Sequence, residues 1–184
     1  MNRNTFEPSQ PADVECQTAG ELWTLVFVRN LRHSPERVWA ALTEPAQLRE
    51  WAPYTASRDL GSAGEATLTM IDGDVAEDLP ATVTRAEHPR LLEYEWGTDL
   101  LRWELAATAY GTTLTLRHTI KDRDAAPKAA AGWHLCLDVA ELLLDGQPVG
   151  PIRGSEALQF GWGRLNEAYA AKLGIPATDP PTDT

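Results

Sequence analysis

Cysteine is almost missing from this chain: Cys16 and Cys136 are the only two in 184 residues. That excludes a disulfide framework and makes a cytoplasmic protein the expectation. No Cys/His cluster has metal-ligand spacing, so no metal or other cofactor is expected. Cations are scarce as well. Sixteen Lys and Arg stand against 27 Asp and Glu, a formal net charge of -11. Such a surface repels phosphate backbones and argues against a nucleic-acid partner. No apolar run approaches the ~20 residues of a membrane span. The opening MNRNTFEPSQPADVEC also lacks the apolar stretch of a secretory signal. There is no Gly-x-Ser-x-Gly elbow and no phosphate-cradling Gly loop. No catalytic residue is assigned on motif grounds.

What the chain does have is apolar and aromatic mass: 43% hydrophobic residues and seven tryptophans. At this length one domain is expected, burying about 68–70% of its unfolded surface. Residues 1–20 are polar, contain Pro8, Pro11 and Gly20, and show no hydrophobic period. They read as a flexible arm. Residues 176–184, with three prolines and two aspartates, cannot offset their ordering entropy and read as a disordered tail. The single domain lies between them, over 21–175.

Within it, 22–30 is rich in β-formers and reads as a strand. Ser34-Pro35 marks a helix start, and Pro45 ends that helix and opens a second through Leu48 and Trp51. From Tyr54 to Lys121 the period is two, giving up to six strands near 54–59, 64–71, 79–87, 90–96, 100–108 and 112–121. Turn residues separate them, as in an antiparallel meander. Leu92, Tyr94 and Trp96 share a face; so do Leu101, Trp103 and Leu105, and Leu114, Leu116, His118 and Ile120. In 129–145 the period returns to 3.6. His134, Asp138, Glu141 and Asp145 form one narrow polar stripe, expected to be solvated, and the remaining circumference is apolar. That helix needs cover on more than one side. Either 155–173 supplies it, with Leu158, Trp162, Leu165, Tyr169 and Leu173 at helical spacing, or a homodimer does. Gly161 and Gly163 fall inside this second helix at a cost of about 1 kcal/mol each.

The order of elements is α+β: a strand, two short helices, an antiparallel run, then long C-terminal helices. The stretch LRHSPERVWAALT (31–43) followed by Leu48-Arg49-Glu50-Trp51 resembles the opening of START-like (SRPBCC) domains. Within that superfamily it resembles the branch similar to the C-terminal domain of the activator of Hsp90 ATPase. AGWHLCL (131–137) and GRLNEAY (163–169) are similar to the C-terminal helical region of the same branch. The resemblance implies a helix-grip fold, a curved antiparallel sheet of about six or seven strands around a long C-terminal helix, with a cavity between them. It also implies three possible roles. The first is binding a hydrophobic or aromatic small molecule in that cavity. The second is an enzyme of cyclase or hydrolase type using His118 with Tyr54 or Tyr94. The third is a chaperone-assisting interaction, for which the 20-residue arm is too short to supply the eukaryotic activator's other domain.

A curved sheet and a straight helix diverge away from their line of contact, and the gap takes large side chains or a ligand. The residues expected to face it are Trp51, Tyr54, Met70, Tyr94, Trp96, Trp103, His118, Trp133 and Leu137. The alternative is a core filled by its own rings. His118 is the polar residue on the apolar face, with no Asp or Glu expected there to orient it, so a triad is not supported. Asp59 and Asp99 are acids near the expected mouth that nothing in the sequence positions.

Overall fold

The computed structural model describes residues 3–177. The part of the expected tail at 178–184 falls outside the described residues. Strand β2 (Leu22–Leu31) leads into helices α1 (Pro35–Thr43) and α2 (Pro45–Trp51). The Ser34 side chain accepts from the Arg37 amide, and Pro35 fills the first helical turn, where its missing N–H costs nothing. Glu44, which precedes Pro45, is extended, so the chain turns sharply between the two helices. Trp51 closes the corner by donating its indole N–H to the Ala41 carbonyl at 2.9 Å.

Strands β3 (Tyr54–Ala56), β4 (Gly64–Asp72), β5 (Val75–Glu87), β6 (Leu91–Trp96), β7 (Asp99–Thr108) and β8 (Gly111–Ile120) follow as an antiparallel meander. With β2 and β1 (Asp13–Ala19) they make one eight-stranded sheet in the order β1-β2-β8-β7-β6-β5-β4-β3. Helix α3 (Ala126–Leu144) is buried along most of its length against this sheet. Helix α4 (Trp162–Leu173) packs alongside it and also touches the sheet, Tyr169 lying against Phe27 of β2, and α2 also touches α3. The apolar circumference of α3 is thus covered within the chain. This is the α+β architecture expected from the order of elements and the helix-grip fold that the resemblance implies.

Three local expectations are corrected. Residues 1–20 are not a loose arm throughout. Asp13–Ala19 pair with Leu22–Val28 as the edge strand β1, Phe6 is buried, and Arg3 donates to the carbonyls of Val149, Gly150 and Pro151. The missing hydrophobic period misled because an edge strand and a strap are held by backbone and side-chain polar bonds. Residues 155–173 are not one helix. A 3-10 segment, Gly154–Phe160, precedes α4, and Gly161 breaks between them with φ of 85°, a left-handed conformation that glycine adopts without strain. Leu158 is accordingly exposed.

The third correction concerns the polar stripe. His134 and Asp138 are buried. The segment around Ser9 lies over them. Asp138 accepts from the Ser9 amide at 2.7 Å and the Ser9 hydroxyl at 2.9 Å, and pairs with Arg29 of β2. His134 sits between Asp138 (3.1 Å) and the Tyr169 hydroxyl (2.6 Å), and that hydroxyl also accepts from the Ala12 amide. Helical spacing shows that these side chains share a face; it cannot show that the face is covered by chain more than 100 residues away.

Candidate functional site

Period two on β6 carries Trp96 to the inner face two residues beyond Tyr94. On β8 the same period places His118 there, opposite Leu101 of β7. Asp99 starts β7 in phase with Leu101, so it is the diagonal neighbour of His118 on that face. Across the gap, α3 lowers Trp133 onto the same spot. The Trp133 indole N–H donates to His118 Nδ1 at 3.1 Å, and His118 Nε2 lies 2.9 Å from an Asp99 carboxylate oxygen. Since Nδ1 is an acceptor, the ring proton is on Nε2 and is donated to Asp99. Both imidazole nitrogens are therefore occupied. An acid does orient His118, contrary to the expectation that none would. The signal was in the sequence: starting the strand at Asp99 rather than at Leu100 puts its carboxylate in phase with Leu101 and Trp103.

Beside this trio the helix and sheet separate and leave a cavity of about 280 Å³. Trp96 and His118 line it from the sheet, with Met70 from β4, while Trp133 and Cys136 line it from α3. The 152–162 segment forms the far wall, including Ile152, Arg153 and Trp162. The room comes from small residues at facing positions: Ala129 and Gly132 on α3, Gly154 and Ala157 opposite. The far wall is fastened along its first half by two side chains from distant parts of the chain. Asp72, at the end of β4, accepts from the Ser155 amide at 3.0 Å, and a Cβ on Gly154 would collide with its carboxylate. Arg3 holds the carbonyls of 149–151 and pairs with Glu156 at 2.6 Å.

Of the nine expected lining residues, Met70, Trp96, His118 and Trp133 meet at this cavity. Trp51, Tyr54, Tyr94, Trp103 and Leu137 do not line it; they are buried in the core beneath. The rings continue inward edge to face, Trp133 on Trp103 and Trp103 on Trp51. The hydroxyls of Tyr54 and Tyr94 bond to each other, and that of Tyr94 also accepts from the Trp103 indole at 3.1 Å. Burial pushes the Tyr94 phenol up to about 12 and Tyr54 well above its ordinary value, so both stay neutral. Burial likewise pushes the Cys136 thiol up to about 12, so it is no thiolate nucleophile. Neither tyrosine reaches the cavity, and His118 has no free lone pair. Among the described residues, neither His118 nor the two tyrosines presents a free base to the space.

The wall is nearly all carbon. Its polar exceptions are His118, Arg153 and Lys128. Among the described residues, no Asp or Glu lines it. Sequence reasoning missed the residues of the 152–162 wall because a 3-10 segment and a loop have no period that points inward. Asp59 does not line the cavity either; its carboxylate accepts from the Gly61 amide at 2.6 Å. Among the described residues no three His, Cys, Asp or Glu side chains gather as a metal set, and no helix is long and apolar enough to cross a membrane. A larger hollow, of about 640 Å³, lies over β1, β2 and β8, where Asp13, Glu15, Arg117 and Lys172 give it a charged wall.

A single curved sheet gripping a long helix, with an apolar cavity between them, defines the START-like class. The family model described as Activator of Hsp90 ATPase homolog 1-like protein matches residues 32–144, and the chain belongs to that family. Similar solved structures agree on the fold. A conserved protein of unknown function from Enterococcus faecalis is 20% identical over 88% of this chain and 90% of its own, with a TM-score of 0.66. CalU16 from Micromonospora echinospora is 19% identical over 87% of this chain and 95% of its own, at 0.64. An AHSA1-like protein from Aeromonas hydrophila is 20% identical over 67% of this chain and 94% of its own, at 0.56. Among curated proteins, none matches this chain.

Proposed function

We propose that the protein binds a small hydrophobic or aromatic molecule in the cavity between the sheet and α3. The observation that carries this reading is the space itself. It measures about 280 Å³, its walls are aromatic and aliphatic, and four small residues keep it open. Water can enter past the exposed Lys128, but carbon walls give it few partners. An apolar guest that displaces this water buries its own surface and that of the walls, which is favourable. The occupied nitrogens of His118 favour binding over acid–base chemistry.

Trp96, Trp133 and Trp162 all line the space, so occupancy is readable in tryptophan emission. Titration with 1-decanol is expected to give a saturable change. Ala157→Phe, which fills the cavity from the far wall, is expected to abolish that change while the protein stays folded. A non-saturable response, or the same response in the filled variant, would contradict the proposal.

A further inference from the structure

We infer that the guest is an organic acid, its carboxylate held at a rim made by Arg153 and Lys128. This rests on the ligand-binding reading above and adds the chemical class. The chain carries a net charge of -11, yet among the described residues Arg153 and Lys128 line the cavity and no Asp or Glu does; Asp99 and Asp72 stand behind the wall, engaged by His118 and Ser155. A low-dielectric wall strengthens the pull of the two lining cations on an anion.

Arg153 is half-buried and donates Nε to the Ala52 carbonyl at 2.8 Å and Nη2 to the Arg49 carbonyl at 2.9 Å. These bonds fix its plane and leave other N–H groups of the fork available. No carboxylate lies within ion-pair distance of it among the described residues. A guanidinium half out of water without an anion is uncommon, because its burial is normally offset by a charged partner. Burial lowers its pKa, and Cys136 and Glu50 offset this only in part. The planar fork matches a carboxylate.

Lys128 is exposed at the mouth and also has no ion pair among the described residues. A space of about 280 Å³ suits a medium-chain fatty acid or a two-ring aromatic acid, and the apolar part would lie against Trp96, Trp133 and Trp162.

Calorimetric titration of the full chain with octanoate, octanamide, 2-naphthoate and 2-naphthamide tests this. Each pair matches shape and differs in charge. The expected result is that at least one acid binds about tenfold or more tightly than its amide. The pair that shows the preference tells an alkyl from an aromatic guest. In K128Q/R153Q the acid is expected to fall to the affinity of its amide, while the amide changes less than about twofold. Lys128→Gln alone, on an exposed side chain, and added salt in the native protein are each expected to narrow the gap. They keep the test decisive even where Arg153→Gln does not fold. Equal affinity for acid and amide, or a preference that survives these changes, overturns the acid assignment and leaves the cavity reading standing. No binding of any of the four overturns both.

Discussion

His118 illustrates how a single side chain can look catalytic in sequence and be structural in place. An imidazole on an apolar strand face needs both nitrogens satisfied, and Trp133 and Asp99 satisfy them from two different elements. The same bonds lock the ring against α3 and hold the sheet and helix at a fixed spacing on one side of the cavity. Trp133→Phe keeps the ring contact with Trp103 but removes the N–H. His118 Nδ1 would then be a buried acceptor without a donor, and the protein is expected to lose about 1–3 kcal/mol in urea denaturation. No loss of stability would mean that water or a rearranged His118 replaces the bond at no cost. At this scale the strands were more legible than the site. Period two located Trp96, His118 and Met70 on the inner face. It did not say which inner rings meet open space and which meet other rings. Tyr54, Tyr94 and Trp103 have the same strand phase as Trp96, yet they lie deeper, where α2 and α3 close the gap.

Among the elements, the segment before β1 and helix α3 form the least expected contact. The arm lies on α3 through Ser9 and Asp138, and Arg29 of β2 completes the pairing. Burial disfavours the Asp138 carboxylate, but its hydrogen bond to His134 and the charge of Arg29 outweigh this and hold its pKa below the ordinary value. A depressed folded-state pKa adds stability that is fully present above the unfolded value, near 4. That contribution falls away as pH drops through the folded value. Stability is therefore expected to decline on acidification below about pH 4, and Asp138→Asn is expected to flatten that decline. Removing the carboxylate also strands Arg29, so the variant starts less stable at neutral pH by about 3–5 kcal/mol. Denaturant midpoints between acid and neutral pH measure both effects; an unchanged acid slope would show that Asp138 is not the titrating group. None of this was legible in the sequence. An i, i+4 polar pair on a helix is normally solvated, and nothing in the arm's composition shows it folding back.

Across the whole molecule, the grip follows from a meander long enough to curve and a helix apolar on almost every side. Both were legible, as was the family resemblance that residues 32–144 bear out. The cavity's far wall was not, because it depends on Gly154, Ala157 and Arg153 in a segment without periodicity, fastened by Asp72 and Arg3 from distant parts of the chain. Fold membership leaves the function open, since unrelated ligands and chemistries recur on one scaffold. The functional account therefore stands on one local fact, the space beside Trp133. Chemical-shift mapping with 1-decanol tests it most directly. The account predicts that the largest shifts fall on the indole N–H signals of Trp96 and Trp133 and the amides of Gly132 and Gly154. Shifts confined to the outer sheet face, or no shifts at saturating decanol, would contradict it.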